Sequence, residues 1–228
     1  MKHALVFQSD FGYVDGAVSA MYGVAFGVDP TLNISNLTHE ITPYDIWEAS
    51  YRLIQTVSYW PAGTVFVSVV DPGVGTKRRA CVAKTVDGYY IVTPDNGALT
   101  HIKKFVGIEA VREIDETVNR LQSTRGVAIF HGRDLFGYTA ARLASGIIDF
   151  EGVGPEYPVE EIVEHPIYEP DVQPGKVSGY DHFLSSFQND LLKNTRWIIS
   201  KMQPQVMKLS ATLNTGKVIN SVSIISTT

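Results

Sequence analysis

The sequence predicts an α/β protein whose largely parallel sheet is covered by helices, on two observations. Short apolar runs alternate with helix-spaced patterns through residues 1–150. The strand-like runs that end on a polar residue end on one able to do chemistry: Asp10, Thr38-His39, Asp71, Asp95-Asn96 and His131. The composition also changes abruptly near Phe183. Residues 1–183 hold 23 of the 24 acids and 14 of the 19 bases, whereas residues 184–228 hold one acid, Asp190, and five bases.

Taken in order, "HALVFQ" reads as the first strand. The segment "VDGAVSAMYGVAFGVDP" then places Val14, Val18, Met21, Tyr22, Ala25 and Val28 on one helical face, closed by Asp29-Pro30. A second strand lies around "LNISNL". "TPYD" reads as a helix start with Thr42 as N-cap, Pro43 in the first turn and Asp45 as the capping-box acid. That helix is expected to reach about Tyr59, with Ile46, Leu53, Ile54 and Val57 inward. "TVFVSVV", "ACVAKTV" and "YYIVTP" are further strands. "GVAIF" is expected as another, feeding "HGRD" and a helix from Asp134 to about Ser145. Residues 151–175 carry five prolines and many acids, and read as a linker to a second region over 176–228.

Composition narrows the function. With 228 residues, 44% of them hydrophobic and 19% charged, the chain fits one full-sized soluble domain with room for a small second one. A net charge of −5 argues against a nucleic-acid partner, because phosphate binding needs a basic face. The start "MKHALVFQSDFG" has no apolar core of signal-peptide length, and no run approaches the roughly 18 residues of a membrane span. The single cysteine, Cys81, points to a reducing cytoplasm.

Several polar residues have modest readings. Asp10 in "SDFG" serves as readily as a helix cap as it does as a ligand. His39 in "LTHEITP" and Asp95 in "TPDNG" read as loop-holding residues. Tyr44 and Trp47 sit at core spacing, and Arg133 with Asp134 reads as a local ion pair with Asp134 as N-cap. Asp71 and His131 differ, since each ends an apolar run and glycine follows within two residues, letting a ligand approach the backbone. The turn "DPGVGTKR" can fold Arg78 back onto Asp71, and a carboxylate held by an arginine stays ionised. A histidine brought alongside completes a set able to position and activate water. Asp10, Asp71, Asn96 and His131 are also plausible hard-cation ligands, which leaves a metal-dependent hydrolase open. No G-x-G-x-x-G follows the first strand, and there is no P-loop, H-E-x-x-H or G-x-S-x-G motif.

Five motifs, "SDFGYVDGAVSAMYGV", "NLTHEITPYDIWEAS", "YWPAGTVFVSVVDPGVGTKRR", "VTPDNGALT" and "FHGRDLFGYTAARLASG", resemble in content and order those of the S-adenosyl-L-methionine hydroxide adenosyltransferases, relatives of the fluorinase and chlorinase enzymes. The resemblance implies a Rossmann-like α/β domain, a smaller β-rich C-terminal domain, and a homotrimer with its site between subunits. It implies hydrolysis of S-adenosyl-L-methionine to adenosine and L-methionine, with no cofactor or metal. Asp71, Arg78 and His131 match the trio that handles the attacking water. Asp10 matches the acid holding the ribose hydroxyls, and Tyr44 an aromatic beside the sugar. Gly132 falls where the halogenating relatives carry a halide-binding serine, and Asp15 and Asn96 match further pocket positions. Which of Asp71 and His131 takes the proton stays open.

The C-terminal region departs from the family. Its D-x-F-G-N-like motif begins in "GYDHF", so Asp181 and Phe183 match, but "LSSFQNDLL" replaces the Gly-Asn pair and the sequence beyond it. With the charge change, this reads as a frameshifted or replaced tail over residues 184–228. An alternative function arises from it: a protein that binds adenosine or S-adenosyl-L-methionine without turning it over.

Overall fold

The computed structural model describes residues 2–167 and four short strands beyond them. The chain divides into two units, residues 1–166 and 167–228. The first is a three-layer α/β/α arrangement around a seven-stranded sheet of order β2-β1-β3-β5-β4-β6-β7. Its strands are β1 (Leu5–Ser9), β2 (Ile34–Thr38), β3 (Val65–Val69), β4 (Ala80–Thr85), β5 (Tyr90–Pro94), β6 (Ile108–Glu113) and β7 (Glu156–Tyr157). Strands β2, β1, β3 and β5 are mutually parallel, and β4, β6 and β7 pair antiparallel with their neighbours. The expected parallel sheet is therefore its centre.

The antiparallel part has a local cause. The link from β3 to β4 is a ten-residue glycine turn, too short for the crossover of a dozen or more residues that parallel pairing needs. The Asp87-Gly88 turn, with Gly88 at φ 81°, then sends the chain back as β5 between β3 and β4.

Alternation along the buried strands builds two cores. Leu5, Phe7, Val65, Val67, Val82 and Val92 face α1 (Ala17–Val28) and α4 (Tyr138–Ser145). Val6, Phe66, Cys81, Ala83, Ile91 and Val111 face the side of α2 (Ile46–Thr56) and α3 (Thr100–Phe105). Full burial of side chains this size contributes about 1.5–3 kcal/mol each. The strand ends are thus set on a rigid frame.

Several local expectations are corrected. Val14 is fully exposed, because α1 begins only at Ala17, where the Asp15 carboxylate accepts from the Ala17 N–H at 2.8 Å. The cap of α2 is Asp45, which accepts from Glu48 N–H at 2.8 Å, while the Glu48 carboxylate accepts from Thr42 N–H at 2.9 Å. The capping acid is therefore Glu48, and the helix starts at Ile46. Residues 126–130 form no strand: three of the five are glycine, alanine or solvent-facing Ile129, and the sheet is instead extended beyond β4 by β6, a strand that the charged "IEAVRE" pattern concealed, and by the two-residue β7 at the edge. The expected helix from Asp134 begins instead as a wide π-turn over Gly132–Gly137 that runs into α4.

The second unit holds two antiparallel pairs, Asp171–Gln173 with Lys176–Ser178 and Lys208–Ser210 with Ser223–Ile225. Asp181, Phe183 and most of residues 184–228 lie outside the described residues. Among the described residues no helix is long and apolar enough to cross a membrane.

Candidate active site

Because β4 runs antiparallel to β5, its entry end shares an edge with the carboxyl ends of β1, β3 and β5. Ala80 is paired with Pro94, and Asp95 N–H donates to Arg79 C=O at 2.9 Å. Ligands in open α/β sheets bind beyond such ends. The β3–β4 turn closes through Val74 N–H to Asp71 C=O (3.2 Å) and Thr76 N–H to Gly73 C=O (3.1 Å), with Gly75 at φ 77°. This returns the chain so that Arg78 grips Asp71.

The grip is bidentate and buried. Arg78 Nε donates to Asp71 Oδ1 and Oδ2 at 2.9 and 3.1 Å, and Nη2 donates to Oδ2 at 2.5 Å. The side chains are 10% and 6% exposed. The guanidinium lies 5.2 Å from the centre of the Phe136 ring, a cation–π contact from the π-turn. Arg78 Nη2 also reaches His131 Nδ1 at 2.8 Å. Since a guanidinium can only donate, Nδ1 accepts and the neutral ring keeps its proton on Nε2. Burial, then the Arg78 charge, lowers the His131 pKa below its ordinary value.

The frame around this trio is equally specific. Asn96 Nδ2 donates to Val70 C=O at 2.9 Å, so Asn96 fixes the peptide that presents Asp71. A Cβ at Gly73 would stand 3.7 Å from Asp71 Oδ1 and 3.4 Å from Arg78 Cγ, in ordinary contact with both. At Gly132 a Cβ would meet the Phe11 and Phe130 rings at 3.1 Å, tight even for serine.

Asp10 lies at the end of β1, and its Oδ2 accepts from Tyr44 N–H at 2.8 Å. Tyr44 has φ 67°, a conformation costly for any residue with a Cβ, and the residue is 72% exposed. The spacing argument for a core Tyr44 fails on that exposure. Asp15 is an exposed helix cap. His39 is buried and holds the β1–β2 edge, with Nδ1 2.7 Å from Ser9 Oγ and Nε2 2.9 Å from Asn36 Oδ1. Asp95 accepts from Tyr157 O–H (3.0 Å) and Val163 N–H (2.9 Å), fastening the segment after β7. Arg133 and Asp134 form the expected ion pair at 2.6 Å, but His131 occupies the N-cap position of the turn.

Two residues near the trio gave no signal in the sequence. Arg120 Nη1 comes within 3.4 Å of His131 Nε2 and donates to Glu116 Oε2 at 2.5 Å. Neither belongs to a motif, and both sit in a loop whose path is set by tertiary contacts. Among the described residues, no group of three or more His, Cys, Asp or Glu is arranged to hold a metal ion.

Fold and site together define an α/β protein with an acid–guanidinium–imidazole cluster at its strand ends. Residues 5–154 match the SAM hydroxide adenosyltransferase N-terminal domain, and the chain belongs to that family. An (R)-S-adenosyl-L-methionine hydrolase of Salinispora tropica is 39% identical over 184 residues, covering 78% of this chain and 68% of that protein. One of the same name from Methanocaldococcus jannaschii is 36% identical over 143 residues. The match covers 61% of this chain, which spans about half of that relative (52%). A crystal structure of an uncharacterized conserved protein from Thermotoga maritima superposes with a TM-score of 0.71 at 33% identity, over 78% of this chain and 69% of that one.

Proposed function

We propose that this chain hydrolyses S-adenosyl-L-methionine to adenosine and L-methionine. The observation that carries the reading is the Asp71–Arg78–His131 cluster, in a chain whose relatives bear the name of that hydrolase. Water attacks C5′ in line with the C5′–S bond, the C5′–O bond forms, and the bonding pair leaves with sulfur. The sulfonium becomes the neutral thioether of methionine, so the leaving group needs no acid. Placing water and C5′ together can supply about 7–11 kcal/mol of the barrier, whereas proton removal contributes about 10²–10⁴-fold.

The proton goes to Asp71. Arg78 stays protonated and the Nδ1 lone pair of His131 is engaged by it at 2.8 Å, which leaves the carboxylate as the acceptor. Arg78 and His131 then act by fixing Asp71 and favouring hydroxide character in the bound water. Asp10 is assigned to the ribose hydroxyls and Tyr44 to the sugar face, with its strained backbone holding both in register. Asp15, Asn96 and Gly132 are assigned to the same proposed pocket, in a homotrimer of the cytoplasm.

Incubation with S-adenosyl-L-methionine, with chromatography for adenosine and methionine and a parallel EDTA arm, tests this. Equimolar products unaffected by EDTA are expected. Calorimetric binding without product would instead identify a binding protein, and loss of product with EDTA a metal-dependent hydrolase.

A further inference from the structure

We propose that Arg120 is a positioning residue of this site. Seated against Nε2 of His131 while Arg78 holds Nδ1, it keeps the imidazole an uncharged acceptor for Arg78, with Glu116 setting how strongly.

The geometry is unusual for a histidine. Each ring nitrogen faces a guanidinium, Arg78 Nη2 at 2.8 Å and Arg120 Nη1 at 3.4 Å. Guanidinium groups offer donors only. An imidazolium would therefore aim an N–H at a donor on both sides, whereas the neutral ring accepts the nearer one.

Arg120 is not adrift there. It is 6% exposed, and the residues on either side are tied to the helix that carries His131: Thr139 O–H donates to Asn119 C=O, and Leu121 N–H to Asp134 C=O, both at 2.9 Å. Its Nη2 donates to Val127 C=O. Its Nε is buried without an acceptor among the described residues. A buried guanidinium left partly unsatisfied is a poor stabilising device, which argues for a role at the ring it faces.

The charges facing His131 can be named. Asp71 and Arg78 come from the β3–β4 turn, and Glu116 and Arg120 from the loop after β6. On its own turn the charges of Arg133 and Asp134 pair with each other, and Phe136 presents only a ring. Glu116 is exposed and pairs with Arg120 at 2.5 Å, so it partly offsets the cation beside the imidazole. The two residues should therefore act on His131 with opposite signs.

The test is a histidine-ring NMR titration of the full, ligand-free chain, with His131 assigned through His131→Gln. Arg120→Gln should raise the His131 midpoint by about one to three pH units, the range for a close charge. Glu116→Gln should lower it, and Arg120→Lys should leave it near the wild-type value. A midpoint unmoved or lowered in Arg120→Gln overturns the proposal, as does one raised in Glu116→Gln. Should Arg120→Gln fail to fold by circular dichroism, the sign in Glu116→Gln decides. These readings need no turnover, so they stand apart from the proposed hydrolysis. The kinetic counterpart rests on that reading: protonated His131 releases Arg78, so the acid limb of kcat/KM should move to higher pH in Arg120→Gln.

Discussion

Replacing Asp71 with asparagine separates the two things the carboxylate does. It accepts three contacts from Arg78, two on Oδ2 and one on Oδ1. Asparagine keeps one oxygen: in the Oδ2 place it still accepts from Nε and Nη2, while its Nδ2 opposes the Nε donor that now sits 2.9 Å from Oδ1. Arg78 would remain 10% exposed with its charge uncompensated. Removing one partner of a buried pair costs about 3–5 kcal/mol, and the retained oxygen places this case near about 3 kcal/mol. Turnover should fall by about 10²–10⁴, the share of a general base. The double variant Asp71→Asn/Arg78→Met removes the orphaned charge and sets an apolar side chain on the Phe136 ring, so urea unfolding should recover most of the lost stability. Adenosine release should stay as low as in the single variant. A single variant within about 1 kcal/mol of wild type would refute the buried-pair account, since that is the range of surface pairs. Turnover within tenfold of wild type would remove Asp71 as proton acceptor.

Three further outcomes are expected. Asp10→Ala should weaken adenosine binding by about 1.5–3 kcal/mol in calorimetry, the worth of hydrogen bonds to a charged group, and undiminished affinity would withdraw the ribose assignment. Tyr44→Gly relieves a backbone at φ 67° and should leave the melting temperature close to wild type while adenosine binding falls; a large drop in melting temperature would show that the exposed ring stabilises the fold. Burial holds His39 and His101 near pKa 4, below the ordinary 6.5, so both are neutral in the fold while the unfolded chain takes up protons. Stability is then fully present above about pH 6.5 and is lost as pH falls towards 4, at up to about 1.4 kcal/mol per pH unit for each histidine. His39→Gln should shallow that slope by roughly one histidine's share, and an unchanged slope would show that His39 titrates as in the unfolded chain.

The legibility of each element in the sequence depends on how local its signal is. Strand β3 and its glycine turn could be read because a buried strand is a continuous apolar run and the return of Arg78 needs only seven residues of chain. The direction of β4 also stems from that short link. Strand β6 escaped because a strand with one buried residue, Val111, flanked on its outer side only by the two-residue β7, shows almost no apolar pattern. Residues 126–130 misled for the opposite reason: "GVAIF" has strand composition, but Val127 and Ile129 face solvent. The Tyr44 backbone was hidden because spacing reports a side chain's helical phase, and Tyr44 precedes the helix in a left-handed turn.

The balance of charge in the cluster says why two arginines would be useful beside the proposed sulfonium substrate. Asp71 and Glu116 offset Arg78 and Arg120, so with His131 neutral the set carries no net charge. A bare carboxylate would attract the sulfonium in the ground state, and attraction equal in ground and transition states lowers KM without raising kcat. Held by Arg78, Asp71 presents little net attraction to an incoming cation, while its carboxylate oxygens keep lone pairs able to accept from a water molecule. On this argument the arginine's work is to turn an anion that would bind substrate into one that aims water. His131 serves that purpose only while uncharged, because as an imidazolium it would repel both the substrate and the guanidinium it is meant to hold.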